Sequence, residues 1–224
     1  MHRFSLEHTA GPARSLHHRP IPDPASPAIW WHEVTEPALV LGSSQPDATI
    51  DGDACGRAGI DVVRRRSGGG AVLLLPGEVC WLDVIVPRPS GTGLEDVRAS
   101  MCRIGSIVCD ALVAAALDLT GHVEVHRGPL ETTEWSSTIC FDGLGPGEVV
   151  LDGAKLVGLS QRLTRQAARF QVCWHSVYDP RALVELLPVA SRPSLDALRP
   201  VAILDAAASA AVPELLRAAL SDAR

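Results

Sequence analysis

Between residues 28 and 87 the apolar positions come in short blocks bounded by proline or glycine. AIWWHEV and PALVLGSSQ come first, then DVVRRR and AVLLL around a glycine run, then EVCWLDVIVP. Blocks of this length, rich in β-branched and aromatic residues, predict strands. EVCWLDVIVP is apolar on both faces, which predicts a central strand. DGDACGRAGI predicts a short helix ending at Gly59, since glycine accepts the left-handed conformation that closes helices. The longest helical segment runs from Leu94 to Leu119, with Val97, Met101, Ile104, Val108, Leu112 and Ala115 recurring on one face. Cys102 and Cys109 fall at the edge of that face, as core packing.

HVEVHRG predicts a further strand, and STICFDGLGPGEVVLDGAKLVGLSQRL alternates strand with tight turns. Its Gly-Pro-Gly and Asp-Gly pairs supply the positive φ such turns need. ARFQVCWHSVY is the last predicted strand. After Asp179 the pattern turns helical, with DPRALVELL carrying proline at its first helical position and an alanine-rich tail from Leu204. Strands, a helix, more strands and then helices predict an α+β fold, a mixed, largely antiparallel sheet packed against helices. Residues 1–27 predict a flexible Pro-rich arm, and 28–224 a single domain with a short helical C-terminal tail.

Composition narrows the function classes. The 224 residues are 46% hydrophobic and 21% charged, an ordinary balance for a globular chain with a real core. A net charge of −6 argues against a general nucleic-acid binder. No run approaches the roughly 18 apolar residues of a membrane span, and the first 27 residues lack the apolar core of a signal peptide. The six cysteines never form CxxC, so metal-site spacing is absent and reduced thiols in a cytoplasmic protein are the expectation.

Candidate chemistry concentrates in three places. RRRSGGGAV, residues 64–72, sets three arginines before three glycines. No Gly-Lys-Ser/Thr follows, so it is not a P-loop. It reads either as an anion-binding backbone flanked by guanidinium groups or as a tight hairpin with solvated arginines. Lys155 is the only lysine, every other of the 20 basic side chains being arginine. It is either a solvated surface residue or a compact charge for a phosphate or developing oxyanion. Cys140, fifteen residues earlier, is either a buried thiol or a nucleophile favoured by nearby positive charge. Arg162, Arg165 and Arg169 form a basic run, either a solvated turn or a contact for a phosphate or an acidic protein.

Taken in order, ALVLGSSQ, VRRRSGGGAV and DGAKLVGLSQR resemble the lipoate–protein ligase family, which shares its catalytic fold with biotin–protein ligases and octanoyltransferases. The resemblance runs from about Ala38 to Trp174 and implies a class II synthetase-like, biotin/lipoate ligase-type catalytic domain. It implies Lys155 as the essential catalytic lysine, and Arg65, Ser67, Gly68, Gly69 and Gly70 as the wall over acyl chain and nucleotide. Ser44 and Gln45 become substrate-pocket residues, and Gly158 and Ser160 belong to the matching lysine segment. The implied activity is first that of an ATP-using ligase. ATP with Mg²⁺ would activate lipoate or octanoate as an acyl-adenylate, for transfer to a lysine of a lipoyl carrier domain of 2-oxoacid dehydrogenase or glycine cleavage proteins.

The segment from Cys140 to Lys155 also resembles the octanoyltransferase branch, which implies an ATP-independent transfer through a Cys140 thioester. A third implication is a non-catalytic acyl- or nucleotide-binding relative. Two departures bear on these alternatives. Leu74 stands where the family commonly places a histidine, and Gly70 stands where the transferase branch usually has arginine. The short stretch after Trp174 lacks the accessory domain of two-part ligases, which implies a separate accessory subunit.

Overall fold

The computed structural model describes residues 3–88, 96–116 and 120–222. Its largest element is a seven-stranded sheet in the order β1-β2-β6-β10-β9-β8-β7. The strands are β1 (Ser5–Gly11), β2 (Ala28–Val34), β6 (Val79–Pro87), β7 (Val123–Val125), β8 (Val149–Leu151), β9 (Ala154–Leu163) and β10 (Ala167–His175). All neighbours run antiparallel except β1 and β2, which are parallel. A second sheet has β3 (Ala38–Leu41) between β4 (Asp61–Arg64) and β5 (Val72–Leu74).

Strand periodicity sorts the side chains of the large sheet. Phe170, Val172 and Trp174 of β10 join Leu82 and Val84 of β6 on one face. That face is covered by α3 (Val97–Ala115) and α5 (Ala206–Asp222), which contribute Ile104, Val108, Leu112, Val212 and Leu216. The alternate residues face the small sheet, where Trp81 packs with Val40, Val63 and Leu74. The far side of the small sheet carries Leu39, Leu41 and Leu73 against Cys55 of α2 (Gly52–Arg57) and Leu183 of α4 (Pro180–Val184). The functional space lies between the two sheets. Because both faces of β6 are covered, six consecutive residues from Cys80 to Ile85 are buried, as its unbroken apolar run predicts.

Asp83 interrupts that run at 0% exposure. It survives there because Arg169 Nε donates to it at 2.9 Å, Trp81 Nε1 donates at 3.1 Å, and His32 Nε2 lies 2.8 Å away. Burial alone would push the carboxyl up, yet His32 and Arg169 outweigh it and hold it down to about 2. Arg169 also donates to the carbonyls of Leu16, His17 and Arg19, which pins the N-terminal segment.

Three expectations are corrected. Residues 1–27 are not a loose arm throughout: Ser5–Gly11 adds β1 to the large sheet, and α1 (Ala13–His18) packs Ala13 and Leu16 into the core. Composition there is polar because β1 is an edge strand with one exposed face. DVVR and VLL do not pair with each other across the glycines; β4 and β5 flank β3 instead. The long helix covers Val97–Ala115, with Ile104, Val108 and Leu112 buried but Val97 51% exposed. Leu94 and residues 117–119 lie outside the described residues. All six cysteines are free, and Cys109 is buried while Cys102 is half-buried. Among the described residues no helix is long and apolar enough to cross a membrane.

Candidate functional site

Between the sheets lies a cavity of about 580 Å³. Its apolar wall comes from Val40, Val72, Leu74, Trp81 and Leu159, and its polar end carries Cys140, Lys155 and Glu148. Of the residues singled out in the sequence, Ser44, Gln45, Arg65, Gly68, Gly69, Gly70, Cys140, Lys155, Gly158 and Ser160 all line it. Ser67 is buried beside it, its hydroxyl 3.0 Å from Ser160 Oγ and donating to Gln171 Oε1 at 3.2 Å. That pair of contacts ties the glycine loop to β9 and β10.

The glycines are required by close backbone packing. A Cβ on Gly70 would stand 2.6 Å from the Cys140 nitrogen and 2.7 Å from the Ile139 carbonyl carbon. Hydrogen bonds from Ala71 N to Thr138 O (2.7 Å) and from Cys140 N to Ala71 O (3.0 Å) lock this contact. Gly69 has φ +101°, and a Cβ there would meet Arg65 Nη2 at 2.8 Å and Cys140 Sγ at 3.8 Å. A Cβ on Gly42 would lie 1.9 Å from the Gly69 carbonyl oxygen. Gly42→Ala therefore forces two backbone segments apart, and the expected loss is about 1–3 kcal/mol in denaturant unfolding.

Arg65 is turned inward to hold this loop. Its guanidinium donates to Gly68 O at 2.8 Å, Gly70 O at 2.8 Å and Val40 O at 3.4 Å. Gln45 is likewise a tether. Its Oε1 accepts from Gly42 N at 2.8 Å, and its amide donates to Ser137 O (2.9 Å) and Thr138 O (3.1 Å). Sequence reasoning anticipated the location of both, and the structure assigns their polar atoms to backbone. Ser44 is exposed at the rim.

Lys155 sits on β9 at 5% exposure. Its ammonium donates to Cys140 O and Gly143 O, both at 3.0 Å, and is paired with Glu148 Oε1 at 2.8 Å. Burial works against the charge, yet Glu148 and Cys140 outweigh it and raise the pKa above the ordinary 10.5. Lys155 is therefore a fixed cation at neutral pH. Glu148 is itself placed by Gly145 N (2.7 Å) and Leu159 N (3.1 Å). The Phe141 ring covers the ammonium, with its centroid 5.0 Å from Nζ.

Two thiols line the cavity. Cys173 lies across from Gly158 on β9, and burial, with the neighbouring Cys140, pushes its thiol up to about 12. It stays protonated and inert, which leaves Cys140 as the nucleophile candidate. Among the described lining residues the fixed cations are Arg65 and Lys155, each committed as above. Burial pushes the lining imidazole of His17 down to about 3, so it is neutral. Arg162, Arg165 and Arg169 are not among the lining residues. Both cations are thus already bonded within the protein, and among the described residues no group of three or more His, Cys, Asp or Glu stands together.

Sequence reasoning did not select Glu148, Phe141 or His17 as site residues. GPGEV marks Glu148 only as part of a turn. A register irregularity at Val149/Val150 helps set where Glu148 stands relative to Lys155, and no local pattern encodes that.

Comparison with known proteins places this geometry in context. The family model described as the lipoyl protein ligase A/B catalytic domain matches residues 14–204. The octanoyltransferase LipM of Moorella thermoacetica is 31% identical over 137 residues, covering 60% of this chain and 48% of that protein. The matched stretch thus spans about half the length of that curated relative. A bi-partite lipoate protein ligase solved with its E2 lipoyl domain from Thermoplasma acidophilum superposes with a TM-score of 0.64 at 17% identity, over 98% of this chain and 83% of that one. Lipoate-protein ligase A bound with ATP gives 0.62 at 18% identity, over 96% and 94%. At such identity the structural likeness establishes the fold, that of the lipoate ligases with their class II synthetase-like sheet.

Proposed function

We propose that this chain, which belongs to the lipoyl protein ligase A/B catalytic-domain family, is a protein acyltransferase working through a thioester on Cys140. It moves an octanoyl-type medium-chain acyl group to a lysine of a lipoyl carrier domain. The observation that carries this reading is the pairing of a cavity-facing Cys140 with a buried, permanently charged Lys155 in a cavity whose described lining residues include no uncommitted cation for a nucleotide. The identity to an octanoyltransferase supports the same choice. The sequence alone ranks the ATP-using ligase first; the commitment of Arg65 to its own loop reverses that order.

In the first half-reaction the Cys140 sulfur attacks the carbonyl carbon of an acyl thioester. A new C–S bond forms, the donor's C–S bond breaks, and the donor leaves as a thiolate. The Lys155 ammonium attracts the negative charge carried by the attacking sulfur. By gripping the Cys140 carbonyl it also fixes the peptide from which the sulfur projects. In the second half-reaction the carrier amine attacks the Cys140 thioester. The C–N bond forms, the C–S bond breaks, and the amine's proton passes to the departing sulfur. Lys155 does not serve as the base, because all three of its protons are engaged and its pKa is raised. Val72, Leu74 and Trp81 supply the apolar slot, where each buried methylene contributes about 0.8 kcal/mol.

Incubating the protein and a lipoyl domain with an octanoyl thioester, without ATP, is expected to add an octanoyl mass to the domain. Octanoate with ATP and Mg²⁺ is expected to add none. The reverse pattern would restore the adenylate-forming ligase, and binding without either product would leave a non-catalytic relative.

A further inference from the structure

A second cavity of about 270 Å³ adjoins the first, the two sharing Val72 and Phe141 as lining residues. We propose that it is the access site for the acceptor amine, the ammonium-tipped alkyl side chain of the carrier lysine, and this rests on the thioester reading above. Phe141 lines both cavities. In the larger one its ring covers the Lys155 ammonium, and toward the smaller one it stands 4.7 Å from His175, ring centre to ring centre. His175 is in turn 5.0 Å from Tyr178, so three rings make a continuous aromatic wall. The chain has no other tyrosine.

The charge on this wall selects the ligand. Burial pushes the His175 imidazole down to about 4, and its buried Nε2 has no hydrogen-bond partner. Burial, with Asp142 and Cys140 nearby, pushes the Tyr178 phenol up to about 12. Both rings are therefore neutral at pH 7. The carboxylates are Glu78 and Asp179. Asp179 is engaged, accepting from Arg181 N at 2.9 Å to cap α4. Glu78 is half-buried and has no ion-pair partner among the described residues. Among the described residues no arginine or lysine lines this cavity. Neutral aromatic faces with one unpaired carboxylate and no cation suit an alkylammonium and repel a phosphate or a carboxylate.

Position completes the argument. The amine must reach the thioester carbonyl carried on the Cys140 sulfur, and Phe141, which lines both cavities, is the adjacent residue. An ammonium arriving there lies across Phe141 from the Lys155 charge. That repulsion favours release of its proton to water, leaving the neutral amine that attacks.

The test separates the half-reactions. The enzyme is first acylated with an octanoyl thioester and the acyl-enzyme followed by intact mass. Its discharge is then measured against lipoyl domain and against n-butylamine, for wild type and Glu78→Gln. Expected are acylation within twofold of wild type and discharge by both amines slowed about tenfold at low amine concentration, through weaker binding. Tyr178→Phe is expected to weaken n-butylamine less than Glu78→Gln does. Unchanged discharge in Glu78→Gln overturns the proposal, as does a defect toward the domain without one toward n-butylamine, which would place Glu78 on the domain's surface instead. Calorimetry of n-butylammonium with the unacylated protein tests the cavity without any chemistry. If wild type forms no acyl-enzyme, the thioester reading fails by itself. If Glu78→Gln then binds n-butylammonium as wild type does, the cavity assignment fails too.

Discussion

Cys140→Ala is expected to lose octanoyl transfer by on the order of 10³-fold or more, with no acyl-enzyme detectable by intact mass. The substitution removes one half-buried sulfur and leaves the backbone bonds of Cys140 to Ala71 and Lys155 available. The fold is therefore retained, and unfolding in denaturant should shift little. Cys140→Ser is expected to fail as well, because an alcohol at neutral pH lacks the thiolate's nucleophilicity. Cys173→Ala, by contrast, should still form the acyl-enzyme. If Cys140→Ala lipoylates a carrier domain at the wild-type rate, the thioester mechanism is wrong.

Lys155→Ala is expected to be equally inactive and much less stable. It leaves the 6%-exposed Glu148 carboxylate without its charged partner, the Gly143 carbonyl without its lysine donor, and the Cys140 carbonyl with only the 3.4 Å bond from Gly143 N. Breaking a buried pair from one side typically costs about 3–5 kcal/mol. Inactivity alone would then not distinguish chemistry from unfolding. The double variant Lys155→Met with Glu148→Gln removes both charges at similar volume and should recover most of the lost stability. It should still form no acyl-enzyme. A double variant that is stable and active would show that Lys155 only fills space.

The pH dependence of this pair follows from the raised Lys155 value. A raised folded pKa stabilises fully below the unfolded value near 10.5 and is lost as pH rises through the folded value. On the alkaline side, the lysine therefore keeps its charge until strong alkali. Asp83 behaves oppositely. Its depressed value of about 2 stabilises above the ordinary 3.8 and is lost as pH falls toward 2.

Much of the site was legible before any coordinates. Lys155 stood out because the chain uses arginine for every other basic side chain, and RRRSGGGAV stood out because three glycines disfavour both helix and strand. Cys140 was visible through its spacing to Lys155. What those residues do was less legible. Arg65 reads in sequence as a clamp for an anion, whereas its guanidinium is spent on Gly68 and Gly70. The glycines read as a cradle for a ligand, and Gly70 instead lets one backbone lie against Cys140.

Local pattern determined the elements themselves. β6 follows from an unbroken apolar run and α3 from helical spacing, because burial of one face or two is written in the period of the residues concerned. Pairing is different, since nothing in residues 5–11 names Ala28 as the neighbour of Ser5, and nothing in 61–74 says that β3 comes between its flanking strands. Those choices depend on contacts distant in sequence, whose energies exist only once the chain has closed on itself. The same holds for function. The candidate residues were present in the sequence, but only the tertiary structure determined that the arginine was committed and the lysine locked to Glu148. It also determined that Phe141 lines both the cavity proposed for the acyl chain and the space proposed for the amine.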